Sequence, residues 1–376
     1  MSKVVPTVDA VAIYADPISR GTVNFPDTTT AALPSQIAIP HFENEEGARE
    51  FLSMHRFPLG LQNSFIESLS RLPMRYIIID DSGSMSGNDG KRIVRKSGGG
   101  PTPEQKLMGC SRWDELTEGL KFHIDFARHA SAPTEFRLLN GAAPIKIGYN
   151  DAEEEGRYST LKALMDGSPN GGTPLCRHIR EIIAEVREIE SELRRTGQHA
   201  CLIITTDGMP SDGDVAEALR PLKDLPVWVL LRLCTDNEGV VSYWNAIDEQ
   251  LELSMDVIDD LSGEAREVNR YNKWLTYGEP IQRLREFGIS VKELDLLDER
   301  KLSADEMRKV CKAIFGGKLD DYPHPEMDFG DLWSILEEKN RAAGLVWNPS
   351  TQKYQNWVEK RPLEAAYGKK SGCVIC

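Results

Sequence analysis

Three oxygen-bearing side chains directly follow an apolar run and could together bind a hard metal ion. The run Tyr76–Ile79 is followed by Asp80, Ser82 and Ser84, with Gly83 between the two serines. An apolar run bounded by turn residues predicts a strand buried on both faces, and Gly83 lets the chain bend sharply after it. Carboxylate and hydroxyl oxygens suit Mg²⁺, Mn²⁺ or Ca²⁺ better than zinc or copper. The alternative interpretation is an ordinary polar turn whose side chains bond to their own backbone.

Two further oxygen-bearing side chains occur downstream in a similar setting. Thr173 lies in the glycine-rich segment 170–175, just before a long helical pattern, and Asp207 directly follows the apolar run Ala200–Thr206. Ligands of open α/β sheets bind beyond the carboxyl ends of the strands, where the strand order reverses. We therefore expect two strands that end in aspartate, with the threonine loop between them, to converge at one edge of a sheet.

The order of these motifs, DxSxS, then Thr in GGTPL, then Asp in TDG, resembles the metal-ion-dependent adhesion site (MIDAS) of von Willebrand factor type A (vWA) domains. The resemblance covers about residues 74–290. It implies a Mg²⁺ site, with Mn²⁺ or Ca²⁺ as alternatives, formed by Asp80, Ser82, Ser84, Thr173 and Asp207. In that family the serines and the threonine contact the ion, and the aspartates often act through water. A carboxylate of the partner protein then completes the coordination shell.

The order of predicted strands and helices along the chain indicates an α/β fold. The resemblance to vWA domains implies that this fold is Rossmann-like. Strand patterns alternate with helical ones, which predicts a central, mostly parallel six-stranded sheet with helices on both faces. Asn140-Gly141 predicts a hairpin turn to an antiparallel edge strand. We expect one closing helix over residues 263–287.

We divide the chain into an extended N-terminal arm (1–45), a small helical segment (46–73), the vWA domain (74–290) and a C-terminal helical and aromatic extension (291–376). Within the domain, residues 86–111 are an insertion that we expect to form a long polar loop. Four basic residues lie beside its triple glycine, namely Lys91, Arg92, Arg95 and Lys96. We expect them to be solvated, and we hypothesise that they contact an acidic partner. In the extension, Ser303 and Glu306 predict a helix start, and the aromatic residues are expected to pack on the main domain.

Composition narrows the classes of function. A net charge of −14 argues against general nucleic-acid binding, which needs clustered basic residues. The seven cysteines are odd in number, and several fall within predicted strands or helices, which favours free thiols in a reducing compartment. We find no secretory signal pattern and no apolar run long enough to span a membrane. The expected location is therefore the cytoplasm.

The last four residues, Cys373–Cys376, resemble a CaaX prenylation box, with two aliphatic residues between the cysteines and two lysines just upstream. The resemblance implies that Cys373 carries a lipid that attaches the protein to the cytoplasmic face of a membrane. A single lipid gives only reversible attachment. The alternative is an unmodified, unstructured tail.

Taken together, the residues and their resemblance to vWA domains imply a non-catalytic intracellular module that uses its cation to capture an Asp or Glu of a partner protein. A catalytic metal site would pair the ion with a general base or a nucleophile, but no histidine falls in an HExxH pattern and no Ser–His pair can be assigned. Two alternatives stay open. One is a metal-assisted hydrolase that uses the same oxygens, and the other is a lipid-anchored scaffold with a structural metal site.

Overall fold

The computed structural model describes residues 39–96, 104–235, 237–251, 255–289 and 291–368. Most of the predicted arm and Cys373 therefore lie outside the described residues. The strands are β1 (Met74–Ile79), β2 (Gly90–Lys96), β3 (Glu104–Cys110), β4 (Thr134–Leu138), β5 (Ile145–Ile147), β6 (Ala200–Thr206), β7 (Val227–Leu233), β8 (Met255–Ile258), β9 (Val346–Asn348) and β10 (Lys353–Gln355). The helices are α1 (Glu45–Met54), α2 (Leu59–Arg71), α3 (Arg112–Ala130), α4 (Glu154–Met165), α5 (Leu175–Thr196), α6 (Val215–Leu219), α7 (Glu238–Leu251), α8 (Leu261–Tyr271), α9 (Glu279–Glu286), α10 (Lys292–Asp295), α11 (Ala304–Phe315), α12 (Phe329–Ala343) and α13 (Lys360–Tyr367).

A six-stranded sheet in the order β5-β4-β1-β6-β7-β8 forms the centre of the fold. All neighbouring strands in it are parallel except β5, which pairs antiparallel with β4. This arrangement confirms the predicted α/β class, the mostly parallel six-stranded sheet and its antiparallel edge. The chain leaves β1 toward β4 on one side and returns to β6 on the other. The strand order therefore reverses between β1 and β6, the position at which open α/β sheets bind ligands.

Helices cover both faces of this sheet, as the alternation of side chains along β1 shows. Ile77 and Ile79 pack among apolar residues of α3 and α4, whereas Tyr76 and Ile78 pack among those of α5, α6 and α7. Successive side chains of a strand point to opposite faces, so an unbroken apolar run is what a sheet covered on both sides requires. The prediction of a doubly buried first strand is confirmed.

The helices outside the central sheet share one further apolar cluster. Residues of α1 and α2 pack there with Phe122 and Phe126 of α3 and with α9, α11, α12 and α13. Trp357 is fully buried in this cluster, so this tail aromatic packs against the fold, as predicted. The Ser303 side chain accepts a hydrogen bond from the Glu306 N–H in a capping box that begins α11, which confirms the predicted helix start. Among the described residues, no helix is both long and apolar enough to cross a lipid bilayer.

The insertion at residues 86–111 is not the long polar loop that we predicted. Its two strands, β2 and β3, pair as an antiparallel hairpin that lies against α3. Arg95 forms ion pairs with Glu118 and Glu279, and Lys91 Nζ lies 3.5 Å from the carboxylate that caps α8. Two of the four basic residues of β2 therefore form ion pairs within the chain, although the Arg95 side chain remains 43% exposed.

The closing helix predicted over residues 263–287 is interrupted and forms two helices, α8 and α9. Between them, Asn272 Nδ2 donates to the carbonyl of Leu297 at 2.8 Å, and Leu275 forms an isolated antiparallel bridge with the C-terminal segment. Pro280 lies in the first turn of α9, where its missing N–H costs nothing. Contacts with the C-terminal extension thus replace the helical hydrogen bonds that the interruption removes.

Candidate metal centre

The two predicted aspartates lie side by side at the carboxyl edge of the sheet. Asp80 directly follows β1 and Asp207 directly follows β6, and these strands are parallel neighbours in the register Ile79↔Thr205. The backbone N–H of Asp80 donates to the Thr205 carbonyl at 3.0 Å, so the pairing continues one residue past β1. Both carboxylates are buried. The sheet therefore fixes both acids at the point where the strand order reverses.

The two serines connect these aspartates in a single hydrogen-bond network, through both hydroxyls and the backbone N–H of Ser82. Ser82 Oγ and Ser84 Oγ are 3.0 Å apart, and the Ser84 hydroxyl donates to Asp207 Oδ1 at 2.8 Å. The backbone N–H of Ser82 donates to Asp80 Oδ1 at 2.9 Å. Ser84 and Asp207, which are 123 residues apart in the chain, thus meet at the carboxyl edge of the sheet, which we call the rim. The structure brings together four of the five predicted ligands, namely Asp80, Ser82, Ser84 and Asp207.

Thr206 is hydrogen-bonded to the carboxylate of Asp80. Its hydroxyl donates to Asp80 Oδ2 at 2.6 Å and accepts from the Gly208 N–H at 3.2 Å. Burial raises the pKa of Asp80, and the hydrogen bonds from Ser82 and Thr206 act in the opposite direction. Asp80 is thus an acid whose charge is costly in the sheet, and a nearby cation would relieve that cost. Our sequence analysis did not include Thr206 among the site residues.

The fifth predicted residue, Thr173, lies on a loop that is hydrogen-bonded to the serine turn. The Gly83 N–H donates to the Gly171 carbonyl at 3.1 Å, and the Asn170 N–H donates to the carbonyl of Asp81 at 2.6 Å. The half-buried Thr173 side chain makes no hydrogen bond to the other four predicted ligands in the part of the chain that the structure describes. The loop is therefore in place beside the cluster, but its hydroxyl is not part of the network.

Asn140 joins three loops at this rim, although the sequence indicated for it only a hairpin turn. Its Nδ2 donates to Asp81 Oδ1 and to the Gly172 carbonyl, each at 2.9 Å, and its N–H donates to Asp81 Oδ1 at 2.9 Å. Gly171 has a φ of +104°, and a Cβ there would lie 2.4 Å from Asn140 Oδ1. This close approach explains why the loop needs glycine at that position.

Arg112 is a second group at the rim that our sequence analysis missed. Its Nη1 donates to Asp207 Oδ2 at 2.8 Å, and its Nε and Nη2 donate to the two carboxylate oxygens of Asp89 at 2.6 and 2.7 Å. The hydrogen bond from Arg112 lowers the pKa of Asp89, while the bonds to Asp89 and Asp207 raise the pKa of the guanidinium. Arg112 is the first residue of α3, where the helix dipole disfavours a positive charge. A cation at this position was the one signal in the sequence that acidic partners lie nearby.

Asp212 and Asp214, which lie near the rim, are helix caps rather than ligands of a second cation. Asp212 accepts hydrogen bonds from the N–H groups of Cys176 and Arg177 at 3.0 and 2.8 Å, at the start of α5. Asp214 accepts from the Ala216 N–H at 2.8 Å, at the start of α6. The two carboxylates therefore satisfy N–H groups at two different helix starts, Asp212 at that of α5 and Asp214 at that of α6.

The oxygens of the cluster fit the requirements of a small divalent cation. Octahedral Mg²⁺ binds oxygens at about 2.0–2.1 Å, so adjacent ligand oxygens lie roughly 2.9 Å apart. The separations of 3.0 Å between Ser82 Oγ and Ser84 Oγ and 2.8 Å between Ser84 Oγ and Asp207 Oδ1 are those of O–H···O hydrogen bonds, and they are compatible with that spacing. Nowhere in the described ranges do three or more His, Cys, Asp or Glu side chains group as metal ligands. A cation here would therefore depend on hydroxyl oxygens as well as the two carboxylates.

Comparisons with known proteins add little to this geometry. No model of a known protein family matches the chain. The E3 ubiquitin-protein ligase HUWE1 of Rattus norvegicus is 27% identical over 114 aligned residues, which cover 26% of this chain and 2% of the ligase. The chain thus corresponds to a very small part of that protein's length, and the similarity does not assign it to a family.

Proposed function

We propose that this protein is a vWA-type binding module that captures an acidic side chain of a partner protein through a divalent cation, preferably Mg²⁺. The single observation that carries the proposal is the network that joins Asp80, Ser82, Ser84 and Asp207 at the carboxyl edge of β1 and β6. When bound there, the cation would supply an electrophilic centre with an open position for a partner's carboxylate.

Each predicted ligand has a role that its surroundings support. Ser82 and Ser84 would coordinate directly, because their hydroxyls already lie at the spacing of adjacent ligands. Asp80 and Asp207 would provide the negative charge and orient water. Thr173 would complete the set from the loop that is bonded to the serine turn.

A binding role is favoured over catalysis by what surrounds these oxygens. In the described part of the chain, no histidine or cysteine side chain is hydrogen-bonded to Asp80, Ser82, Ser84 or Asp207. Among the described residues, the other side chains hydrogen-bonded to these four are the Thr206 hydroxyl and the Arg112 guanidinium. Neither is an ordinary general base at neutral pH. We therefore keep the non-catalytic interpretation as our proposal.

The test is affinity capture of partner proteins with the full chain, in Mg²⁺ and in EDTA. Asp80→Ala is the test variant, and Asp214→Ala is the matched control, because Asp214 caps a helix near the same rim. We expect partners that bind the wild type in Mg²⁺ to be lost in EDTA and with Asp80→Ala, but kept by Asp214→Ala. Replacing the acidic residue of a captured partner should then abolish its binding. Capture of the same partners under every condition would contradict the proposal.

The attachment of Cys373 to a membrane stays a prediction, because this residue lies outside the described part of the chain. Metabolic labelling with a prenyl analogue, comparing the wild type with Cys373→Ser, tests it. Incorporation into the wild type alone, with release of Cys373→Ser from the membrane fraction, is the expected result. Equal fractionation of both proteins would contradict it.

A further inference from the structure

Arg112 and Ser84 hold opposite sides of the Asp207 carboxylate. The Ser84 hydroxyl donates to Oδ1 at 2.8 Å, and Arg112 Nη1 donates to Oδ2 at 2.8 Å. The Asp207 side chain is fully buried, while that of Arg112 is 19% exposed. A cation that binds Asp207 from the rim therefore has to approach a carboxylate whose Oδ2 already accepts a hydrogen bond from the Arg112 guanidinium.

Asp89 gives this guanidinium a second place to bind. Arg112 Nε and Nη2 donate to the two oxygens of Asp89 at 2.6 and 2.7 Å, the fork geometry that strengthens an arginine–carboxylate pair. The Asp89 side chain is 40% exposed, so this pair lies on the solvent side of the rim. Arg112 can thus give up Asp207 and remain held by Asp89.

Formation of helix α3 does not require a cation at position 112. The Ser111 side chain and Asp114 form a capping box at this helix start, and acidic residues there are favoured by the helix dipole. An arginine in the first helical position opposes that preference. Its two carboxylate partners, and not the helix, account for its position.

We infer that Arg112 competes with a divalent cation for Asp207, and that Asp89 is the partner to which the guanidinium withdraws when the cation binds. This inference rests on the proposed function and adds a residue that regulates the affinity of the site for its cation. Two positive charges at one buried carboxylate repel each other strongly, because the surrounding dielectric is low. Arg112 therefore weakens cation binding, and Asp89 offsets part of that effect.

The test measures the affinity of the full chain for Mn²⁺, with free Mn²⁺ counted by electron paramagnetic resonance. Arg112→Met removes the charge, and Arg112→Lys is the matched control that keeps it. We expect Arg112→Met to bind Mn²⁺ at least about tenfold more tightly than the wild type, equivalent to about 1.4 kcal/mol. Arg112→Lys should bind Mn²⁺ clearly less tightly than Arg112→Met, because it retains a competing charge, although it loses the bidentate fork to Asp89.

Asp89→Asn probes the second half of the inference. It should weaken Mn²⁺ binding by roughly threefold or more, because the guanidinium is then left with Asp207 alone. In the Arg112→Met background the same substitution should change the affinity by less than about twofold, which isolates the coupling between the two residues. Circular dichroism checks that each variant is folded, and Asp89→Asn keeps the test decisive if Arg112→Met does not fold, because unchanged Mn²⁺ affinity in Asp89→Asn would also overturn the inference.

The outcomes separate this inference from the function on which it rests. Equal Mn²⁺ affinity in the wild type and Arg112→Met, or weaker binding by the variant, would overturn the competition while leaving the cation site in place. If none of the proteins binds Mn²⁺, both the competition and the proposed function are wrong.

Discussion

Thr206→Val gives a sharp test of how the site is built, because its neighbour Thr205 provides a matched control. Both threonines end β6, and both are buried. The Thr206 hydroxyl donates to the Asp80 carboxylate at 2.6 Å, whereas the Thr205 hydroxyl donates to the backbone carbonyl of Ile78 at 2.9 Å. The same isosteric substitution therefore removes a bond to a charged group at one position and to a neutral group at the other.

The expected loss of stability follows from this difference. Hydrogen bonds to charged groups contribute roughly 1.5–3 kcal/mol and those between neutral groups about 1 kcal/mol. We therefore expect Thr206→Val to lower the free energy of unfolding by about 2 kcal/mol and Thr205→Val by about 1 kcal/mol. Urea titration of the proteins in EDTA measures both values. Thr206→Val also leaves the Gly208 N–H without its acceptor, which adds to its cost.

The two variants should differ more strongly in cation binding. Burial already raises the pKa of Asp80, and the Thr206 hydrogen bond opposes that effect, so its removal raises this pKa further. A carboxylate that is harder to ionise and free to turn binds a cation less well. We expect Mn²⁺ affinity to fall roughly tenfold in Thr206→Val and to be unchanged in Thr205→Val. Equal stability losses together with equal Mn²⁺ affinities in the two variants would refute this account of the site.

Three further perturbations test other parts of the structure. Glu286→Gln should lower the free energy of unfolding by about 3 kcal/mol in urea titrations. The reason is that Arg283 Nη1 donates to this buried carboxylate at 2.6 Å. A loss of stability below about 1 kcal/mol would contradict this prediction. A hydrogen bond from Arg300 lowers the pKa of Glu306 to about 2, so its small stabilising effect is present above the usual carboxyl pKa and is lost as the pH falls toward 2. Thermal unfolding should therefore show the wild type losing its advantage over Glu306→Gln below about pH 4.5, and a constant difference would contradict this. Gly171→Ala should weaken Mn²⁺ binding, because a Cβ there would lie 2.4 Å from Asn140 Oδ1. Gly172→Ala is the control, because a Cβ at that position would come no closer than 3.6 Å to its nearest neighbour. Equal effects of the two substitutions on Mn²⁺ affinity would contradict this prediction.

The sequence alone was sufficient for the elements with strong local signals. The apolar run before Asp80 predicted β1, and Ser303 predicted the start of α11. Each of these signals acts over a few residues, through burial on two faces or a helix cap. For the same reason, Asp80 and Asp207 could be placed at one edge once both strands were assigned. The antiparallel edge strand is present as expected, but Asn140 and Gly141 lack the positive φ of a tight hairpin turn, and Asn140 bonds to Asp81 instead.

The features that we missed depend on partners that are distant in the chain. The exposed positions of the β2–β3 hairpin are mostly polar, although Met108 is exposed as well, so its sequence resembles that of a loop. Ion pairs such as that between Arg95 and Glu279, 184 residues apart, hold the hairpin in place. The break between α8 and α9 is stabilised by Asn272, which bonds to the segment that follows α9. Gly278 and Pro280 were the local signals for that break. Arg112 could have been questioned only as a cation at a helix start.

The central claim is that Asp80, Ser82, Ser84 and Asp207 together hold a divalent cation, and a crystal of the full chain grown with Mn²⁺ tests it most directly. The account predicts an anomalous difference peak within coordination distance of the two serine hydroxyls, at the carboxyl edge of β1 and β6. A well-ordered site at saturating Mn²⁺ with no such peak, and with the Ser84 and Arg112 hydrogen bonds to Asp207 unchanged, would contradict it.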